Sequence, residues 1–140
     1  MDAETGRVLY AHNEQEPRAI ASTTKLMTAL VAAEYLGGNL SETVEIKREW
    51  TGIEGTSLYL KPGETITLKT LLYGLLLHSG NDAAVALARC WGAASRCCGA
   101  DEPEGRSAGH DQYHLSDACG LDQEGHLSTA RDVAIMSGRF

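Results

Sequence analysis

The stretch Ala21-Ser22-Thr23-Thr24-Lys25-Leu26-Met27-Thr28 sets a serine hydroxyl and a lysine amine three residues apart at the start of an amphipathic pattern. On a helix that spacing raises both side chains from one face. Serine is a weak nucleophile until its proton is removed. A lysine does this when burial or nearby cations lower its pKa towards neutrality. Free N–H groups and the positive end of the dipole at a helix start also favour negative charge developing at Ser22. Ser-x-x-Lys alone is a common accident of composition, equally compatible with an N-cap serine beside a solvated lysine. A second motif has to decide.

Outward from this stretch, apolar residues recur at Leu26, Met27, Leu30, Val31 and Tyr35, the spacing of one buried helical face, and Gly37-Gly38 ends the run. Upstream, Arg7 to His12 alternates and is β-prone after a Thr5-Gly6 turn signal, which predicts the second arm of a hairpin cut off near Met1. Downstream, residues 43–59 mix short β-like pieces with glycines, as a surface excursion would, and Lys61-Pro62-Gly63-Glu64 closes it as a turn. Thr67 is placed to cap a helix with a stripe of Leu68, Leu71, Leu72, Leu75 and Leu76 that has to be buried. His78-Ser79-Gly80-Asn81 is then a polar turn before a second helix, rich in small residues, over Ala83 to Ala88. Clasped between two buried helices, such a turn is rigid and suits catalytic groups.

The 140 residues are 43% hydrophobic and 22% charged, with no apolar run long enough to span a bilayer, so one globular unit is expected. A net charge of −7 argues against nucleic acid or an anionic membrane surface as partner. Cys90, Cys97, Cys98 and Cys119 crowd into one late segment, unlike a disulfide framework for the whole fold.

Ser79-Gly80-Asn81 supplies a hydroxyl and a carboxamide that face one cleft if the turn faces Ser22; its plain alternative is a helix C-cap followed by an N-cap. Ser-x-x-Lys followed by Ser-x-Asn, each at a helix end, is the arrangement of penicillin-binding proteins and class A β-lactamases. Three blocks, "MDAETGRVLYAHNEQEPRAIASTTKLMTALVAAEYL", "GTSLYLKPGETITLKTLLYGLLLHSGNDAAVALA" and "GLDQEGHLSTARDVAIMS", resemble successive parts of the low-molecular-mass penicillin-binding serine D-alanyl-D-alanine carboxypeptidases.

The resemblance implies an α/β penicillin-binding/β-lactamase-like transpeptidase fold, a five-stranded antiparallel sheet covered by helices. Here it is truncated to the helical cluster and the first strands. It makes Ser22 the acylated nucleophile, Lys25 its base, Ser79 a proton relay to the leaving D-alanine, and Asn81 the binder of the substrate amide. It implies no cofactor and no metal, and an extracytoplasmic place. The partners implied are peptidoglycan stem peptides ending in D-Ala-D-Ala, with β-lactams as covalent inhibitors; membrane contact comes only through parts outside this chain. The family's Lys-Thr-Gly strand, which binds the substrate carboxylate and gives the second oxyanion-hole N–H, is missing from the sequence. Losing one such donor costs about 10²–10³ in rate, and without the late strands the opening hairpin has an unpaired edge, so the isolated chain is expected to be a poor and marginally stable enzyme. Ile20 stands where the family usually has proline. Rival readings are a β-lactamase, a non-catalytic penicillin-binding sensor, and a zinc-binding module.

Residues 91–115 fit no block and show no helical or strand period. Three readings are open: a long surface loop, uncommon in a compact domain; a zinc site from Cys97, Cys98, His110 and His114, although adjacent cysteines do not match the usual spacing; and a frame-shifted translation. Displaced by one nucleotide from Cys97 onward, the codons can spell "VVEQMNRKAAALGMTNT", which resembles the helix and turn that the family carries here. On that reading the four side chains have no joint role.

Overall fold

The computed structural model describes residues 1–36, 39–90, 118–121 and 126–139. Expectations for Gly37-Gly38, for 91–115 with Cys97, Cys98, His110 and His114, and for the Tyr35 side chain fall outside what is described.

The elements run β1 (Arg18–Ala19), a 3-10 turn (Ala21–Thr23), α1 (Thr24–Leu36), β2 (Thr43–Glu45), a 3-10 turn (Arg48–Trp50), β3 (Thr65–Thr67), α2 (Leu68–His78), α3 (Asn81–Cys90), β4 (Leu127–Ser128) and α4 (Ala130–Ser137). The strands form two antiparallel pairs, β1 with β4 and β2 with β3.

α1 is the central helix because it is apolar on two sides. Ala29 and Ala32 join Leu68, Leu71, Leu75, Ala83, Ala84 and Leu87 in the larger core, while Met27 and Leu30 pack on Met136 of α4. The small side chains Ala29 and Ala32 of α1 and Ala83 and Ala84 of α3 share this core, and the two helices pack in contact. α2 begins where β3 ends. The Thr67 side chain accepts from the Thr70 N–H at 3.2 Å, and the next free donors, Leu68 N–H and Lys69 N–H, reach the carbonyls of Glu42 and Leu40. The β2–β3 pair thus fixes the start of α2 and, eleven residues on, the position of the Ser79 turn.

The 61–64 turn forms as expected, with Glu64 N–H bonded to the Lys61 carbonyl at 3.1 Å and Gly63 at φ +84°. Three expectations need correction. Arg7 to His12 pairs with no strand among the described residues; the local closure is a loop in which Asp2 N–H donates to the Arg7 carbonyl at 2.9 Å. Alternation alone cannot make a strand without a partner ladder. The 43–59 excursion is partly core, since Ile46 and Trp50 are buried against α2 and α3. The leucine stripe is narrower than its spacing suggests: Leu68, Leu71 and Leu75 are buried, but Leu76 is 44% exposed because it lies off the axis facing α1 and α3.

Truncating Leu71, which is wholly buried, to alanine is expected to cost about 2–5 kcal/mol in urea unfolding, by lost transfer energy and an unfilled cavity. The same change at exposed Leu77 is expected to cost under about 0.5 kcal/mol. Equal losses would show that the packing described for α2 is wrong.

Candidate active site

Ser22 lies in the 3-10 turn just before α1, exposed, while Lys25 lies in the first turn of α1 with 2% of its surface exposed. Lys25 Nζ is 3.1 Å from Ser22 Oγ and donates to the Cys119 carbonyl at 2.8 Å. An amine this close to a hydroxyl is within reach for proton transfer. The 3-10 turn is tightened by Thr23, whose N–H and Oγ both bond the Ile20 carbonyl. Ala21 takes a left-handed φ of +44°, uncommon for a residue with a side chain, so the backbone entering Ser22 is held by its surroundings.

Those surroundings are residues 118–121 and 126. Gly120 has φ +77°, and a Cβ there would lie 1.9 Å from the Ala21 carbonyl oxygen and 2.9 Å from Thr24 Oγ1. Only glycine permits that approach. Thr28 Oγ1 donates to the half-buried Ala118 carbonyl at 2.9 Å, and Thr24 Oγ1 pairs with His126 Nε2 at 2.6 Å inside the fold. One face of α1 is therefore bonded along its first two turns to a segment 90 to 102 positions away in sequence.

Ser79 ends α2 in the left-handed conformation, φ +58° and ψ +33°, half-buried, and Asn81 opens α3, buried. The C-cap alternative is therefore real in part, but serine and not Gly80 takes the left-handed position. Gly80 is needed instead for closeness, since a Cβ there would meet Leu58 Cγ at 2.9 Å. Cys119 ties the two motifs together: its carbonyl accepts from Lys25, and its thiol donates to the Asn81 carbonyl at 3.5 Å. The Asn81 Nδ2 donates to the Glu54 carbonyl at 2.6 Å. Lys25 and Asn81 thus share Cys119 as a neighbour, with Ser22 on one side and the Ser79 turn on the other.

Beside Asn81, Asp82 is buried. Burial alone pushes its carboxyl upward, but the N–H groups of Leu58, Leu60 and Ala83 and the Ser57 hydroxyl all donate to it, and together they hold it below its ordinary 3.8. Away from the site, burial and the Glu42 charge push the Cys90 thiol up to about 11, which leaves it protonated and unreactive at neutral pH. Among the described residues, no group of three or more His, Cys, Asp or Glu side chains is placed to hold a metal ion. No helix among them is long and apolar enough to cross a membrane.

Sequence reasoning did not reach Thr24, Thr28, Cys119, Gly120 or His126. Their partners are remote in sequence, and the one available signal was a glycine and a histidine inside the third block.

The whole chain, residues 1–140, matches the D-alanyl-D-alanine carboxypeptidase family. It is 35% identical to D-alanyl-D-alanine carboxypeptidase DacF of Bacillus subtilis over 98% of this chain and 36% of that one. It is 36% identical to D-alanyl-D-alanine carboxypeptidase DacA of Escherichia coli over 97% of this chain and 36% of that one. Among solved structures, penicillin-binding protein 6B of Escherichia coli superposes with TM-score 0.93 at 30% identity, covering 99% of this chain and 47% of the other. The D-alanyl-D-alanine carboxypeptidase of Mycobacterium tuberculosis superposes with TM-score 0.92 at 34% identity, covering 99% and 52%. The chain spans about a third of the length of the first curated relatives it matches.

Two outcomes are expected. Gly120→Ala should destabilise the protein by about 2–4 kcal/mol, through strain at positive φ and the clash with Ala21. Gly63→Ala, also at positive φ but with nothing within 4 Å, should cost about 1–2 kcal/mol. Equal costs in chemical denaturation would contradict the close approach at Gly120. For Asp82, a carboxyl held below 3.8 stabilises the fold fully above that pH and loses this contribution as pH falls through the lowered value. Asp82→Asn should therefore be less stable than wild type at pH 7, with the gap narrowing as pH falls below 3.8; a gap independent of pH would show that the charge is not what is held.

Proposed function

Because the chain belongs to the D-alanyl-D-alanine carboxypeptidase family, we propose that it is a serine-type carboxypeptidase that removes the terminal D-alanine of peptidoglycan stem peptides. The observation that carries the reading is the buried Lys25 amine 3.1 Å from Ser22 Oγ.

In this reading Ser22 Oγ forms a bond to the carbonyl carbon of the penultimate D-alanine as its proton passes to Lys25 Nζ. The Ser22 backbone N–H, in the turn that opens α1, is one donor to the developing oxyanion. The C–N bond then breaks, and the departing D-alanine nitrogen takes a proton relayed through Ser79. Asn81 hydrogen-bonds the substrate amide. Water hydrolyses the Ser22 ester, returning the proton to the hydroxyl and releasing the shortened peptide. A β-lactam ring opens by the same attack, but its nitrogen stays tethered to the acyl group, so the ester persists. The enzyme works outside the cytoplasmic membrane, where peptidoglycan lies, and needs no cofactor.

Incubation with labelled benzylpenicillin, followed by peptide mass spectrometry, tests this. The expected result is one added penicilloyl group on the peptide carrying Ser22, absent in Ser22→Ala and formed about 10²–10⁴-fold more slowly in Lys25→Met. Labelling that persists in Ser22→Ala, or a folded wild-type chain that takes no label even on incubation long enough to offset a rate lowered about 10³-fold, would contradict the reading. Release within seconds would favour a β-lactamase instead.

A further inference from the structure

Residues 54–60 belong to no helix or strand, yet they cover the Ser79–Asn81 turn closely. Backbone donors without a ladder have to find other acceptors when buried. Here one carboxylate serves. Asp82 Oδ1 accepts from Leu58 N–H at 2.9 Å, and Oδ2 accepts from Leu60 N–H at 3.1 Å and from Ser57 Oγ at 2.7 Å. Oδ1 also accepts from Ala83 N–H at 2.9 Å, which ties the carboxylate to the first turn of its own helix. An ionised carboxylate has about four lone-pair sites, and these donors fill them.

The same strap returns bonds to Asn81. The Asn81 N–H donates to the Thr56 carbonyl at 2.7 Å and Nδ2 to the Glu54 carbonyl at 2.6 Å. A carbonyl oxygen can only accept, so the nitrogen end of the carboxamide must face Glu54 and Oδ1 must turn away from it. Close packing supports the strap: a Cβ on Gly55 would lie 2.7 Å from Asn81 Nδ2, and one on Gly74 would lie 2.2 Å from Leu58 Cδ1. The strap has little freedom to move without moving the carboxamide.

We propose that Asp82 is a positioning residue for Asn81: it anchors residues 54–60, whose Glu54 and Thr56 carbonyls set which end of the Asn81 carboxamide a substrate meets. The inference deepens the acyl-transfer reading and rests on it for its catalytic consequence. Asp82 touches no reacting atom; its effect passes through the strap.

The test uses Asp82→Asn, which keeps the shape of the side chain but replaces one acceptor oxygen with a donor facing N–H groups. Exchange of amide protons by NMR is the first readout. Asp82→Asn should accelerate exchange at the Leu58, Leu60 and Asn81 amides by about 10–100-fold beyond any acceleration at Leu71 and Leu75, which reports the global loss of stability, and should shift the Asn81 side-chain NH₂ signals. Unchanged Asn81 NH₂ signals would overturn the proposal, whatever penicillin does. The second readout is acylation by labelled benzylpenicillin across a range of concentrations. Asp82→Asn should lower the same kinetic parameter as Asn81→Ala, and the double variant should lose no more than Asn81→Ala alone. Additive losses would overturn positioning through Asn81. If wild type takes no label, the acyl-transfer reading fails, and the exchange readout still decides the strap. Should Asp82→Asn not fold, Ser57→Ala removes one donor only and should give the same pattern at a few-fold scale; no change at Leu58, Leu60 or Asn81 in that variant would count against the proposal.

Discussion

The structure depends on how one buried amine is satisfied. Lys25 lies inside the fold, where an unpaired amine would be costly, and its Nζ is met by Ser22 Oγ from its own helix start and by the Cys119 carbonyl from a remote segment. Both contacts constrain the chain. The first requires the 3-10 turn to lead straight into α1, so that the hydroxyl and amine stand on one side. The second requires residues 118–121 to return across α1, which they can do because Gly120 lacks a Cβ where the Ala21 carbonyl lies. Thr24 with His126, and Thr28 with Ala118, extend the same seam. What looks like a catalytic pair is therefore also a structural junction.

A second junction stands opposite. Asp82 gathers donors from residues 57–60 and from its own helix, as Lys25 gathers acceptors, and Cys119 lies between the two by bonding both Lys25 and Asn81. Each motif is thus held by a loop that has no regular secondary structure of its own. This explains how a modest core orients polar groups: the helices bring the motifs near one another, and hydrogen bonds to loop backbone, charge-assisted at Asp82, fix their final directions.

Much of the fold could be seen in the sequence. The period of α1, the Leu68, Leu71 and Leu75 stripe, the Thr67 cap and the 61–64 turn depend on neighbours within a few residues, which a linear pattern records. Arg7 to His12 failed as a strand because pairing is decided by a partner, and Leu76 failed as a core residue because the width of a stripe depends on what packs against it. Ser22, Lys25, Ser79 and Asn81 were named as candidates through motif spacing. Asp82, Cys119, Gly120 and His126 were not, because the contacts that give them their places reach 22 to 102 positions along the chain, which no local pattern records.

The central claim is that the Ser22–Lys25 pair and the Ser79–Asn81 turn line one cleft and act on one acyl group. A crystal structure of the protein after reaction with benzylpenicillin tests it most directly. The account predicts continuous density from Ser22 Oγ into a penicilloyl group that lies between Lys25 and the Ser79–Asn81 turn, with its amide against the Asn81 carboxamide. An adduct on any other side chain, or a penicilloyl group on Ser22 that points away from Ser79 and Asn81, would contradict it.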